Sequence, residues 1–150
     1  MSARDATLAL VADDAGEYRL QEQVGFILRK AHQRHVAIFA AHIGDLTPPQ
    51  FAALAKLNDV GETSQNQLGA LIAMDAATIK GVIDRLRARG FVEVGKHKVD
   101  KRRLMVGLTE QGRVAIERLI PLAEKITTET LAPLSPREVA TFLKLLAKLA

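Results

Sequence analysis

The sequence predicts a mainly α fold with a small β-wing, on three observations within residues 75–109. Apolar residues recur at Ile79, Val82, Ile83 and Leu86, the spacing of a helix with one buried face. Two β-prone runs follow, one with Phe91, Val92 and Val94 and the other with Leu104, Val106 and Leu108. Between them lies a loop carrying Lys96, His97, Lys98, Lys101, Arg102 and Arg103. A short helix, a strand, a basic loop and a second strand make the plan of a winged helix-turn-helix. N- and C-terminal dimerisation helices are expected to flank it.

The elements follow in order. Residues 1–16 mix Ala and Asp with little periodicity and predict a flexible N-terminal arm, leaving 17–150 as a single domain. A helix is expected over about 17–42, because Val24, Ile27, Leu28, Ala31, His35, Ile38, Phe39 and His42 share a face, with Gly44 as a left-handed cap. Thr47 reads as an N-cap and Pro48 as the first position of a helix that buries Phe51, Leu54 and Leu57 and stops at Gly61. Thr63 or Ser64 opens a third helix with Leu68, Leu71 and Ile72 facing inward, and Asp75 caps the fourth, which ends at Gly90. After the wing, a helix over about 109–131 carries Leu119, Leu122, Ala123 and Ile126 inward, with a kink expected at Pro121. Ser135, Pro136 and Glu138 form a capping-box start for the last helix, striped by Val139, Phe142, Leu143, Leu146 and Leu149. The DNA-binding module thus spans about 47–110, and residues 17–45 and 110–150 supply the dimerisation helices. Their broad apolar faces exceed what one small wing module covers, and a two-fold dimer presents two reading helices to successive major grooves, roughly 34 Å apart.

Charge placement points to DNA. The chain of 150 residues has a net charge of +4, and residues 75–103 hold nine basic against four acidic side chains, so that the remainder is close to neutral. A basic patch confined to one module is the footprint of a polyanion binder. The reading helix turns Ala77, Thr78, Lys80, Gly81, Asp84 and Arg85 outward, small or hydrogen-bonding groups suited to a major groove. Lys98, Asp100, Lys101, Arg102 and Arg103 occupy the wing, where the cations reach phosphates or a minor groove. Arg87 and Arg89 fit DNA contact and the helix macrodipole equally well.

The chain resembles the multiple antibiotic resistance regulator (MarR) family of bacterial winged-helix transcription factors. The resemblance runs from about residue 20 to the C-terminus, through LTPPQF at 46–51, IDRLRARGFVE at 83–93, DKRRLMVGLTEQG at 100–112 and the LSPREV that opens the last helix. It implies a homodimeric regulator, a repressor in most members, that binds a short palindromic operator and is released by a small phenolic or aromatic acid. It implies further that Asp100 and Arg102 act as a pair, that Thr78 and Lys80 touch the major groove, and that Ser64, Gln65 and Asn66 meet phosphates at a helix start. A carboxylate gripping a guanidinium in bidentate fashion lowers the entropy lost when the Arg enters a groove.

Three readings of the histidines stay open: hydrogen-bonded core or interface groups, the wall of an effector pocket, or a zinc site using His32 and His35. The pocket reading gathers His35, Phe39, His42 and Phe51 between the first helix and the winged module. Arg29 or Arg34 would neutralise an aromatic or pyridine carboxylate there. No metal or other cofactor is expected. With no cysteine, no Gly-rich phosphate loop, no HExxH and no GxSxG, nothing suggests an enzyme. No apolar run is long enough for a membrane span, so the cytoplasm is the expected compartment. The competing class is a non-sensing architectural DNA binder without an effector pocket.

Overall fold

The computed structural model describes residues 16–150. A 3-10 turn (Leu20–Glu22) precedes α1 (Val24–His42), α2 (Pro48–Val60), β1 (Thr63–Ser64), α3 (Gln65–Leu71), α4 (Ala76–Ala88), β2 (Val92–Lys96), β3 (Leu104–Leu108), α5 (Glu110–Leu131) and α6 (Pro136–Lys148). The N-terminal arm expected over 1–16 lies, apart from Gly16, outside the described residues. The chain divides into two compact units, Met1–Gln33 and Arg34–Ala150. In the first, the 3-10 turn closes through Glu22 N donating to Arg19 O and Gln23 N to Leu20 O, at 3.1 and 3.0 Å. Gln23 is extended, with ψ 138, which breaks the helical ladder and starts α1 at Val24 rather than at residue 17.

The second unit holds one apolar core. Phe39, Ile43 and Leu46 meet Ala53, Leu54 and Leu57 of α2, Leu68 of α3, and Ile79, Val82, Ile83 and Leu86 of α4, with Val106, Ile116, Leu119 and Ile126 completing it. The 3.6-residue period of α4 therefore reads correctly from sequence, and each fully buried Leu or Ile contributes about 1.5–3 kcal/mol. Leu71, expected inside, is 46% exposed. Helix α3 lasts only seven residues, and Ile72, at its C-cap, packs against the core instead.

Local caps behave as their sequences dictate. Thr47 and Ser135 form capping boxes with Gln50 and Glu138, and Asp75 and Thr109 accept the N–H groups of Thr78 and Gly112. Gly61 and Gly90 end their helices at φ 79 and 76. Gly44 does not adopt the left-handed conformation expected of it. The turn after α1 is held instead by burial of Ile43 and Leu46 and by Arg89, which binds the backbone and side chain of Asp45. Ala73 takes the left-handed role in the turn between α3 and α4, at φ 56, which costs an L residue about 1–2 kcal/mol.

The sheet is antiparallel in the order β1-β3-β2. Strands β2 and β3 pair from Val92↔Leu108 to Lys96↔Leu104. The two-residue strand β1, absent from the sequence expectation, pairs Thr63 with Val106 and Ser64 with Met105, tying the start of α3 to the wing. Helix α5 runs through Pro121, and its first turn sits on the start of β2: Thr109 Oγ1 donates to Gly90 O at 2.6 Å and Thr109 N to Phe91 O at 3.1 Å.

Candidate nucleic-acid interface and effector site

Helix α4 offers a polar outer face to solvent. Ala77, Thr78, Lys80 and Arg85 are exposed, and a Cβ built on the half-buried Gly81 meets nothing within 4 Å. Lys80 Nζ lies 2.8 Å from Asp84 Oδ2, so this ammonium must exchange a carboxylate for any phosphate or base it contacts. At the start of the helix, the Thr78 N–H bonds Asp75 and holds its carboxyl below the usual range, keeping it charged as a cap. Arg89 makes three contacts within the fold. Its guanidinium reaches Asp45 O at 2.5 Å and Asp45 Oδ2 at 3.1 Å and lies 4.8 Å over the Phe91 ring. The same contact lowers the Asp45 pKa.

Lys98, Lys101, Arg102 and Arg103 are exposed along the wing, with Asp100 half-buried among them. Asp100 Oδ1 accepts the backbone N–H of Arg102 at 3.1 Å and its Nε at 3.4 Å. The expected bidentate fork is thus replaced by one oxygen that serves main chain and side chain together. The carboxylate fixes the Arg102 backbone and leaves the terminal guanidinium nitrogens free, and the side chain is 94% exposed.

Strand β1 brings two distant segments together. Ser64, Gln65 and Asn66 share with Arg102, Arg103 and Leu104 a concave surface of about 400 Å³. The Ser64 hydroxyl caps α3 by accepting Gln67 N at 3.2 Å and is largely buried, whereas Asn66 is exposed. Two guanidinium groups beside a helix start suit an anion.

The histidines of α1 meet the end of α5. His42 Nε2 lies 2.6 Å from Glu129 Oε2 and His35 Nδ1 lies 2.9 Å from Thr130 Oγ1. Arg34 donates to the carbonyls of Thr130 and Glu129 at 2.6 and 3.0 Å, satisfying acceptors near the C-terminus of α5. Phe39 and Phe51 pack edge to face with centroids 6.1 Å apart. Four of the five expected effector residues therefore belong to one region of the second unit. Arg29 lies in the first unit, its guanidinium 5.7 Å over Phe26. Glu129 and Thr130 escaped the sequence reading because neither shows its partner within its own helix. Among the described residues, no group of three or more His, Asp and Glu is placed to hold a metal, and no helix is long and apolar enough to cross a membrane.

Comparison with known proteins agrees with this fold. The MarR family profile matches residues 46–104. The transcriptional repressor NicR of Pseudomonas putida is 41% identical over 138 residues, spanning 91% of this chain and 87% of NicR. A probable transcriptional regulator from Pseudomonas aeruginosa superposes with a TM-score of 0.86 at 50% identity, covering 88% of this chain and all of that one. BpsR of Bordetella bronchiseptica, whose DNA binding is regulated by 6-hydroxynicotinic acid, superposes with a TM-score of 0.85 at 43% identity, over 89% of this chain and 97% of BpsR.

Proposed function

The chain belongs to the MarR family of winged-helix transcriptional regulators, and from that premise we propose that it is a homodimeric repressor released from a palindromic operator by a pyridine carboxylate. The observation that carries the DNA part is the concave surface on which Ser64, Gln65 and Asn66 face Arg102 and Arg103. Residues far apart in sequence converge there on one hollow that includes two arginines. Ala77, Thr78, Lys80, Gly81 and Arg85 on α4 would read the major groove, Lys98 and Lys101 would bind phosphate, and Arg102, steadied by Asp100, would enter the minor groove.

The effector class rests on likeness to BpsR. On this reading His35, Phe39, His42 and Phe51 supply the wall: aromatic faces for the ring and imidazole N–H groups for its carboxylate. A ligand there competes with Glu129 for His42 and shifts the link between α1 and α5, and its preference for one spacing of the reading helices lowers DNA affinity by linkage.

Fluorescence anisotropy with a labelled fragment of the protein's own promoter tests the proposal, with nicotinate, 6-hydroxynicotinate, benzoate and 4-hydroxybenzoate each titrated into the complex. Release by a pyridine carboxylate, with about 1–3 kcal/mol of coupling, is the expected result. Operator binding unmoved by all four acids supports the non-sensing alternative and overturns the effector assignment.

A further inference from the structure

We propose that His97 is a neutral positioning residue of the wing, whose unprotonated Nδ1 fixes the turn from which Arg102 is presented to DNA. The inference rests on the DNA-binding reading of the wing and goes beyond it. His97 Nδ1 accepts the backbone N–H of Val99 at 3.1 Å and that of Asp100 at 2.9 Å. A ring nitrogen that accepts two main-chain bonds carries no proton, so the imidazole is neutral with its hydrogen on Nε2. By sequence His97 sits among the loop cations. By geometry it is an acceptor inside the loop.

The bonds run on from His97 to the exposed guanidinium. His97 N donates to Arg103 O and Arg103 N donates to Asp100 O, both at 3.0 Å, which closes the loop just beyond the last ladder pair, Lys96↔Leu104. Asp100, its own amide held by the imidazole, turns its Oδ1 to the N–H and Nε of Arg102. His97 therefore orders Asp100, and Asp100 orders Arg102. Without the imidazole acceptor, two amides of the turn go to water and the wing must be ordered at the moment of binding, a cost charged against affinity. Because the group is neutral, its removal leaves the number of counterions released unchanged.

Asparagine separates this role from others, since its Oδ1 stands where Nδ1 stands and accepts the same amides. The test measures operator affinity and its salt slope at pH 8 for the full-length protein and for His97→Ala, His97→Asn, Arg102→Ala and the His97→Ala/Arg102→Ala double variant. Thermal unfolding of each confirms an intact fold. The expected result is a loss of about fivefold for His97→Ala, the net worth of about one hydrogen bond, with the parent's salt slope. His97→Asn should recover to within about twofold, and the double variant should bind no worse than Arg102→Ala alone. Long-range proton–nitrogen NMR of the free protein should show the Nε2–H tautomer.

Four results overturn the positioning role while leaving the wing reading in place. They are an Nδ1–H tautomer, a His97→Asn protein as weak as His97→Ala, a shallower salt slope in His97→Ala, and full affinity in His97→Ala beside a defective Arg102→Ala. If Arg102→Ala itself binds the operator as the parent does, the wing reading fails and the positioning role fails with it.

Discussion

Two glycines on neighbouring helices should respond to alanine with opposite signs. An ideal Cβ on Gly112 lies 1.9 Å from Phe91 O and 2.8 Å from Phe91 C, both backbone atoms at the start of β2. Relief requires the first turn of α5 to retreat by roughly 1.5 Å to reach ordinary contact. That movement stretches the bonds from Thr109 Oγ1 to Gly90 O and from Thr109 N to Phe91 O, now 2.6 and 3.1 Å. Overpacking costs about 1–3 kcal/mol, and two weakened hydrogen bonds add about 1 kcal/mol each. The intrinsic helix preference for Ala over Gly returns about 1 kcal/mol, so Gly112→Ala should lose about 3 kcal/mol net. Gly81→Ala meets open space in mid-helix and should gain about 0.5–1 kcal/mol. Urea unfolding at one fixed protein concentration measures both, since the proposed homodimer would have a concentration-dependent midpoint. A Gly112→Ala protein as stable as the parent refutes the argument. Operator binding by the stabilised Gly81→Ala protein then separates two roles: lost affinity assigns the glycine to close approach of DNA, and unchanged affinity leaves it a tolerated helix defect.

Three further outcomes are expected. Asp45 has its pKa lowered chiefly by the Arg89 guanidinium. Its contribution is therefore present above the unfolded carboxylate pKa of about 3.9 and lost as pH falls through the lower folded value. Acid unfolding curves should show Arg89→Ala about 1 kcal/mol less stable at neutral pH, with the gap narrowing at low pH to what the Asp45 carbonyl and Phe91 ring contacts contribute; a gap that does not narrow down to pH 2 contradicts the assignment. In α6 and at its C-cap, Phe142, Leu143 and Leu149 are 40, 47 and 72% exposed, so a chain ending near Leu134 should aggregate or dissociate in analytical ultracentrifugation if this stripe holds the dimer; an unchanged dimer refutes that role. His42→Ala removes the partner of Glu129 and one wall of the proposed effector site, and should blunt release by the cognate acid while leaving operator binding without ligand nearly intact. Parent-like release measured by anisotropy would move the pocket elsewhere.

Much of the fold and part of the site were legible in the residues because the forces involved are local. The cap of α4 by Asp75, the capping boxes at Thr47 and Ser135 and the stop at Gly90 each involve groups within three or four residues of one another, and the apolar period of α4 names its buried face directly. The basic wing and the outer face of α4 followed from that pattern and from charge. What remained hidden depends on pairs far apart in the chain. Thr63 becomes a strand residue because β3 offers Val106 as a partner. Arg89 gains a long-range partner because Asp45 folds back beside it. Glu129 and Thr130 matter because α1 delivers His42 and His35 to the end of α5, and Leu71, apolar and in phase, faces solvent because α3 ends too soon. Gly112 follows the LT of the wing motif in plain sight, yet its reason, a carbonyl at Phe91 lying where a methyl would stand, exists only once α5 is seated on β2. Local hydrogen bonds and periodicity are written in sequence spacing, whereas long-range contacts are set by how the helices and strands come to rest against one another, and spacing along the chain does not encode that.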